Sequence, residues 1–113
     1  MSEFEIIRNH FSRDYDRSDI NVGVGDDGAI LNIDQMIGSQ LVVSTDTIVE
    51  QTHFPEGTIA GNIARRAMCI NLSDMAAMGA LPLWFTLSLT LPGDKANEAW
   101  LSEFSSGLFE IAS

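Results

Sequence analysis

Positive charge is what this chain has least of. Lys95 is its only lysine, and Lys+Arg total 6 against 16 Asp+Glu, a net charge of −10. So poor a supply of cations argues against nucleic-acid or anionic-membrane binding through a basic surface. It leaves open the binding of phosphates through metal ions. Cysteine is equally scarce: Cys69 stands alone in 113 residues. An internal disulfide is excluded, a cysteine-based zinc site is not expected, and a reducing cytoplasm is the expected compartment. No apolar run approaches the roughly 20 residues that span a bilayer. Met1-Ser2-Glu3-Phe4-Glu5 is not a basic segment leading into an apolar one, so no secretory signal is expected. There is no G-x-x-x-x-G-K-[ST] loop, no G-x-S-x-G elbow and no H-E-x-x-H pair, which sets aside three common enzyme chemistries.

What is present is a globular composition. Hydrophobic residues make up 45% and charged residues 19% of the chain, enough for one real core. The length allows one domain at most, or a piece of a larger one. Phe4, Ile7 and Phe11 recur at helical spacing and predict a short amphipathic helix over residues 3–12, with His10 on its polar side. Alternation predicts strands at 20–24, 29–33 and 84–91, and the apolar run at 40–45 predicts a central strand. Long helices are predicted over 58–78, closed by Gly79, and over 97–111, with Trp100, Phe104, Leu108 and Ile111 on one face. The order implies an α/β fold: a four-stranded mixed sheet with helices packed on one face. Its last helix has no returning strand, so the chain reads as truncated.

Four features bear on chemistry. Between Ser18 and Ala64 there is no Lys or Arg, yet the stretch carries Asp19, Asp26, Asp27, Asp34, Asp46, Glu50 and Glu56. Carboxylates of this kind either form a solvated acidic surface or converge on a hard cation such as Mg²⁺. Gly23-Val-Gly25-Asp-Asp-Gly28 matches G-x-G-x-x-G, but a strand follows where a dinucleotide site needs a helix. A metal-binding turn or an Asx-type hairpin turn fits it instead. Ser44-Thr45-Asp46-Thr47 ends the apolar strand in an all-oxygen cluster, which also suits an ordinary polar strand end.

The fourth feature is Asp74. In the long helix, Ile59, Ile63, Ala67 and Ile70 step along one face, and Asp74 continues that step before Ala77 and Leu81. A carboxylate in a core stripe must be paired or metal-bound; at the stripe's edge it caps a loop or pairs with Arg65 or Arg66. His53, in Thr52-His53-Phe54-Pro55, follows the Asp46 loop closely enough to reach the same pocket, although a loop histidine is more often a plain surface residue. Met68, Met75 and Met78 read as core.

Taken together, Gly25-Asp26-Asp27-Gly28-Ala29, Ser44-Thr45-Asp46-Thr47 with His53-Phe54, and Asn71-Leu-Ser-Asp74-Met-Ala-Ala-Met-Gly79-Ala80 resemble the N-terminal part of the thiamine-monophosphate kinase family, within the aminoimidazole ribonucleotide synthetase superfamily. The resemblance covers nearly the whole chain. It implies Mg²⁺-assisted transfer of the γ-phosphoryl group of ATP onto thiamine monophosphate, giving thiamine diphosphate. It makes Asp27, Ser44, Thr45, Asp46 and Asp74 metal ligands and His53 a contact to thiamine monophosphate, with Asp26 adjacent. No residue is implied as a general base, because the acceptor phosphate is already an anion. It further implies a cytoplasmic homodimer paired through its strands, and residues 1–113 as an N-terminal metal- and substrate-binding domain. The family's Gly-Gly-Asp-Thr segment and C-terminal domain have no counterpart here, so little or no kinase activity is expected of this chain alone. Two alternatives stand beside this reading: a hydrogenase-maturation relative of the same superfamily, and a non-catalytic dimerisation and metal-binding module. The Gly-Asp-Asp-Gly-Ala turn and Thr-His-Phe favour the thiamine enzyme. Selenophosphate synthetase is disfavoured, since no reactive cysteine or neighbouring lysine lies near the N-terminus.

Overall fold

The computed structural model describes residues 2–13, 17–25, 28–50, 57–93 and 95–112. The chain divides into two compact units, Met1–Leu41 and Val42–Ser113.

The first unit opens with α1 (Glu3–Ile6), which continues as a π-helical turn, Ile7–Phe11. Ser2 and Glu5 form a capping box: the Ser2 hydroxyl accepts from the Glu5 N–H, and the Glu5 carboxylate accepts from the Ser2 N–H. The predicted helix over 3–12 is therefore present, but its faces differ from expectation. His10 is buried and Phe4 is 78% exposed. His10 thus does not lie on a solvated side; the wider π-turn shifts the side chains after Ile6 away from the phase that an ideal α-helix gives. Strands β1 (Ile20–Val22) and β2 (Ile30–Leu31) pair antiparallel, with Ile20 opposite Leu31 and Val22 opposite Ile30 and an irregularity between the pairs. Both were expected, at greater length. Arg17 clasps the Asp19 carboxylate with two nitrogens ahead of β1. A 3₁₀ turn, Asp34–Met36, and Gly38 at φ +88° complete the turn predicted after β2.

The second unit is built on α2 (Ala60–Ala77) and α3 (Glu98–Ala112), which pack against each other. Its core comprises Ala60, Ile63, Ala64 and Met68 of α2 with Leu101, Phe104 and Leu108 of α3. Gly61 and Gly107 set the approach of the two helices. A Cβ on residue 107 would lie 2.5 Å from the Gly61 carbonyl oxygen and 2.8 Å from its Cα. Trp100 stacks on Phe104, one turn on, with centroids 5.1 Å apart. Helix α2 ends in a Schellman motif: Gly79 at φ +67° donates to the Ala76 carbonyl and Ala80 donates to Met75.

The core face of α2 is not the stripe expected from sequence. Ile59 is 61% and Leu81 78% exposed, because the close helix crossing selects the small residues 60, 61 and 64 instead. Only β1 and β2 pair as strands among the described residues. The segments 40–45 and 84–91, expected as strands, carry no ladder, and Leu41, Val43, Phe85 and Leu87 are exposed. A strand exists only where a second strand satisfies its N–H and C=O groups. Their apolar patterns lack that partner here.

Candidate functional site

The apolar run Leu41-Val42-Val43 leads into Ser44-Thr45-Asp46, and α2 carries Asp74 in its final turn. The tertiary structure brings the two aspartates together. Their carboxyl groups lie within hydrogen-bonding reach, and the proximity of Asp46 holds Asp74 above the ordinary carboxylate pKa, first through that hydrogen bond and then through charge repulsion. Ser44 is half-buried, and Thr45 and Asp46 are exposed beside it.

Asp74 itself is half-exposed and lies beyond the buried stretch of α2, which ends at Met68. It is therefore not a charge forced into the core, as the periodicity suggests, but a charge set against another of the same sign. Arg65, one of its expected partners, binds elsewhere: its Nη2 donates to Glu110 at 2.9 Å and its Nη1 to Asn62 at 2.9 Å. Arg66 lines the same shallow open hollow as Asp74, about 320 Å³ in volume, together with Cys69, Ile70 and Ser73.

The acid-rich stretch is partly neutralised by one neighbouring and one distant cation. Asp19 is held by Arg17, and Glu50 accepts from Lys95 at 2.8 Å. Lys95 lies well outside that stretch, so only folding reveals this pairing. Asp27 and His53, with Asp26, lie outside the described residues. Among the described residues no three His, Cys, Asp or Glu side chains converge as a metal cluster. The Asp46–Asp74 pair, with Ser44 and Thr45 directly preceding Asp46 in the chain, nonetheless offers hard oxygens with excess negative charge, which suits Mg²⁺.

An α/β chain with converging aspartates at the end of an apolar run and the end of a long helix defines the class. The family described as "AIR synthase related protein, N-terminal domain" matches residues 25–113, and the chain belongs to that family. Proteins named thiamine-monophosphate kinase are similar over almost all of it. That of Escherichia coli (strain K12) is 46% identical over 110 residues, covering 96% of this chain and 33% of the relative. That of Buchnera aphidicola subsp. Acyrthosiphon pisum is 44% identical over 112 residues, covering 97% and 33%. That of Bacillus subtilis (strain 168) is 34% identical over 113 residues, covering 99% and 34%. The chain spans about a third of the length of these curated relatives.

Proposed function

We propose that this chain forms the N-terminal metal- and substrate-binding part of a thiamine-monophosphate kinase. The observation that carries the reading is the convergence of Asp46 and Asp74, within a chain so similar to proteins of that name. Two neighbouring carboxylates repel each other unless a proton or a cation lies between them. Asp46 and Asp74, with Ser44, Thr45 and Asp27, hold Mg²⁺, and His53 contacts thiamine monophosphate.

The reaction moves the γ-phosphoryl group of ATP to an oxygen of the thiamine monophosphate phosphate. The new P–O bond gives thiamine diphosphate and the broken one releases ADP. The bound Mg²⁺ supplies charge neutralisation for the crowded phosphates and helps hold donor and acceptor in line. The aspartates' task is to fix those cations, and no side chain is required to take a proton from an acceptor that is already anionic. The protein acts in the cytoplasm, in keeping with its single cysteine. No helix among the described residues is long and apolar enough to cross a membrane.

The exposed apolar segments 40–45 and 84–91 support a further part of the reading. They are strands of a four-stranded mixed sheet, completed in a homodimer.

Calorimetric titration tests the site directly. Mg²⁺ binds the chain, thiamine monophosphate binds only when Mg²⁺ is present, and Asp46→Asn and Asp74→Asn each remove the Mg²⁺ signal. In a full-length version both substitutions abolish phosphoryl transfer. Unchanged Mg²⁺ binding and transfer in both variants would refute the metal assignment.

A further inference from the structure

The cations of the second unit are few enough to account for one by one. Lys95 is paired with Glu50 and Arg65 with Glu110. Arg66, exposed on α2, engages no carboxylate among the described residues. It is not placed at random: it shares the hollow with Asp74, and Cys69, Ile70 and Ser73 line the hollow with them. Residues 66, 69, 70 and 73 follow the three- and four-residue step that lines one helix face, and Asp74 stands at the edge of that face. The axial distance from residue 66 to residue 74 is about 12 Å at the rise of an α-helix. The lining of the hollow thus runs along the helix from Arg66 at one end, past Ser73, to Asp74 at the other.

That polarity fits a ligand anionic in itself and joined to a cation on one side. We propose that Arg66 is the anion-binding residue of this site, its guanidinium gripping oxygens of a phosphate group whose other oxygens face the cation held at Asp46 and Asp74. The proposal rests on the Mg²⁺ reading above and adds a residue to it. A guanidinium suits the task because its planar fork donates two parallel hydrogen bonds to phosphate oxygens. Pairing Arg66 permanently with a carboxylate would cancel that capacity, and the structure leaves it unpaired among the described residues. The phosphate belongs either to thiamine monophosphate or to the nucleotide, and the two sources share this chemistry.

The test is calorimetry on the wild-type chain, Arg66→Gln, Arg66→Lys and Asp46→Asn. Each is titrated with Mg²⁺ alone, then, at saturating Mg²⁺, with thiamine monophosphate and with a non-hydrolysable ATP analogue. Arg66→Gln is expected to leave Mg²⁺ binding as tight or tighter, since a nearby positive charge has gone. It is expected to weaken one of the two phosphate ligands by at least about tenfold, the loss expected for charge-assisted hydrogen bonds. Arg66→Lys recovers part of that loss. The ligand that weakens identifies the source of the phosphate. Equal affinity of wild type and Arg66→Gln for both ligands overturns the proposal while leaving the metal site standing. So does a parallel fall in Mg²⁺ affinity and melting temperature, which marks a structural arginine. If the Mg²⁺-loaded wild-type chain binds neither ligand, the hollow is not an anion site. If Asp46→Asn binds Mg²⁺ like wild type, it is the metal reading that fails.

Discussion

Asp46 and Asp74 place two carboxyl groups within hydrogen-bonding reach of each other, one after an apolar run and one near the end of α2. Asp74 consequently holds its proton above the ordinary carboxylate range. A single shared proton satisfies the pair; two negative charges do not. The arrangement disfavours the metal-free chain at neutral pH, and a cation turns the same repulsion into attraction.

The sign of the pH dependence follows. Between the ordinary carboxylate pKa and the raised value of Asp74, the folded chain binds more protons at this residue than the unfolded chain. Without metal, the Asp74 contribution to stability therefore improves as pH falls through that window and is lost as pH rises out of it. On the proposed metal reading Mg²⁺ would compete with the same proton, so its affinity is expected to fall with falling pH. Thermal melts of the chain with and without Mg²⁺ across mildly acidic pH should converge. A Mg²⁺-induced stabilisation that grows on acidification would contradict the shared-proton picture.

Asp74→Asn separates the two roles. The substitution removes the repulsion with Asp46, so the metal-free variant melts no lower than wild type. Mg²⁺ no longer raises its melting temperature. A variant that melts lower and still responds to Mg²⁺ would assign Asp74 a purely structural part.

Gly107→Ala tests the helix crossing. The added Cβ meets the Gly61 carbonyl at 2.5 Å, and backbone cannot swing aside as a side-chain tip can. Overpacking of this kind costs about 1–3 kcal/mol, against the roughly 1 kcal/mol by which alanine favours a helix interior over glycine, and the contact here is with backbone at 2.5 Å. Steric conflict wins, and urea denaturation should show a net loss. Gain of stability would mean that the helices separate freely.

Gly79→Ala addresses the end of α2. At φ +67° an alanine costs about 1 kcal/mol or more in backbone strain. The Schellman bonds of Gly79 and Ala80 to Ala76 and Met75 also tie down the turn that follows Asp74. Chemical denaturation should register the loss, and Mg²⁺ affinity should weaken with it. Unchanged stability would show that the left-handed cap is dispensable.

The two ion pairs of the second unit should differ. Lys95 and Glu50 retain 23% and 29% side-chain exposure, whereas Arg65 and Glu110 retain 41% and 60%. Solvent screens the second pair more, so its coupling in a double-mutant cycle is expected at a few tenths of a kcal/mol, and that of Lys95–Glu50 nearer about 1 kcal/mol. The reverse order would mean that burial does not govern these contacts.

The elements set by local physics were legible in the amino-acid sequence. The helices that periodicity announces over 58–78 and 97–111 are present as Ala60–Ala77 and Glu98–Ala112, and Gly79 marks a stop because a left-handed residue satisfies the last carbonyls there. The oxygen-rich character of Ser44-Thr45-Asp46 and the isolation of Asp74 among apolar neighbours were equally visible. What lies in tertiary structure was not. Helix periodicity alone pointed to a stripe from Ile59 to Leu81; Ile63 is in the core, but Ile59 and Leu81 are exposed, because the approach of Gly61 to Gly107 turns the small residues beside that stripe inward, and which face meets a partner is decided by the partner's shape. The apolar alternation at 84–91 states a capacity for strand, while pairing needs hydrogen-bond partners that sequence spacing does not supply. Nor does local charge counting show that Lys95 neutralises Glu50, or that Asp46 and Asp74 face each other. Composition determined that this chain handles charge with carboxylates; only folding decided which carboxylates are silenced by a cation of the chain and which two are left opposed.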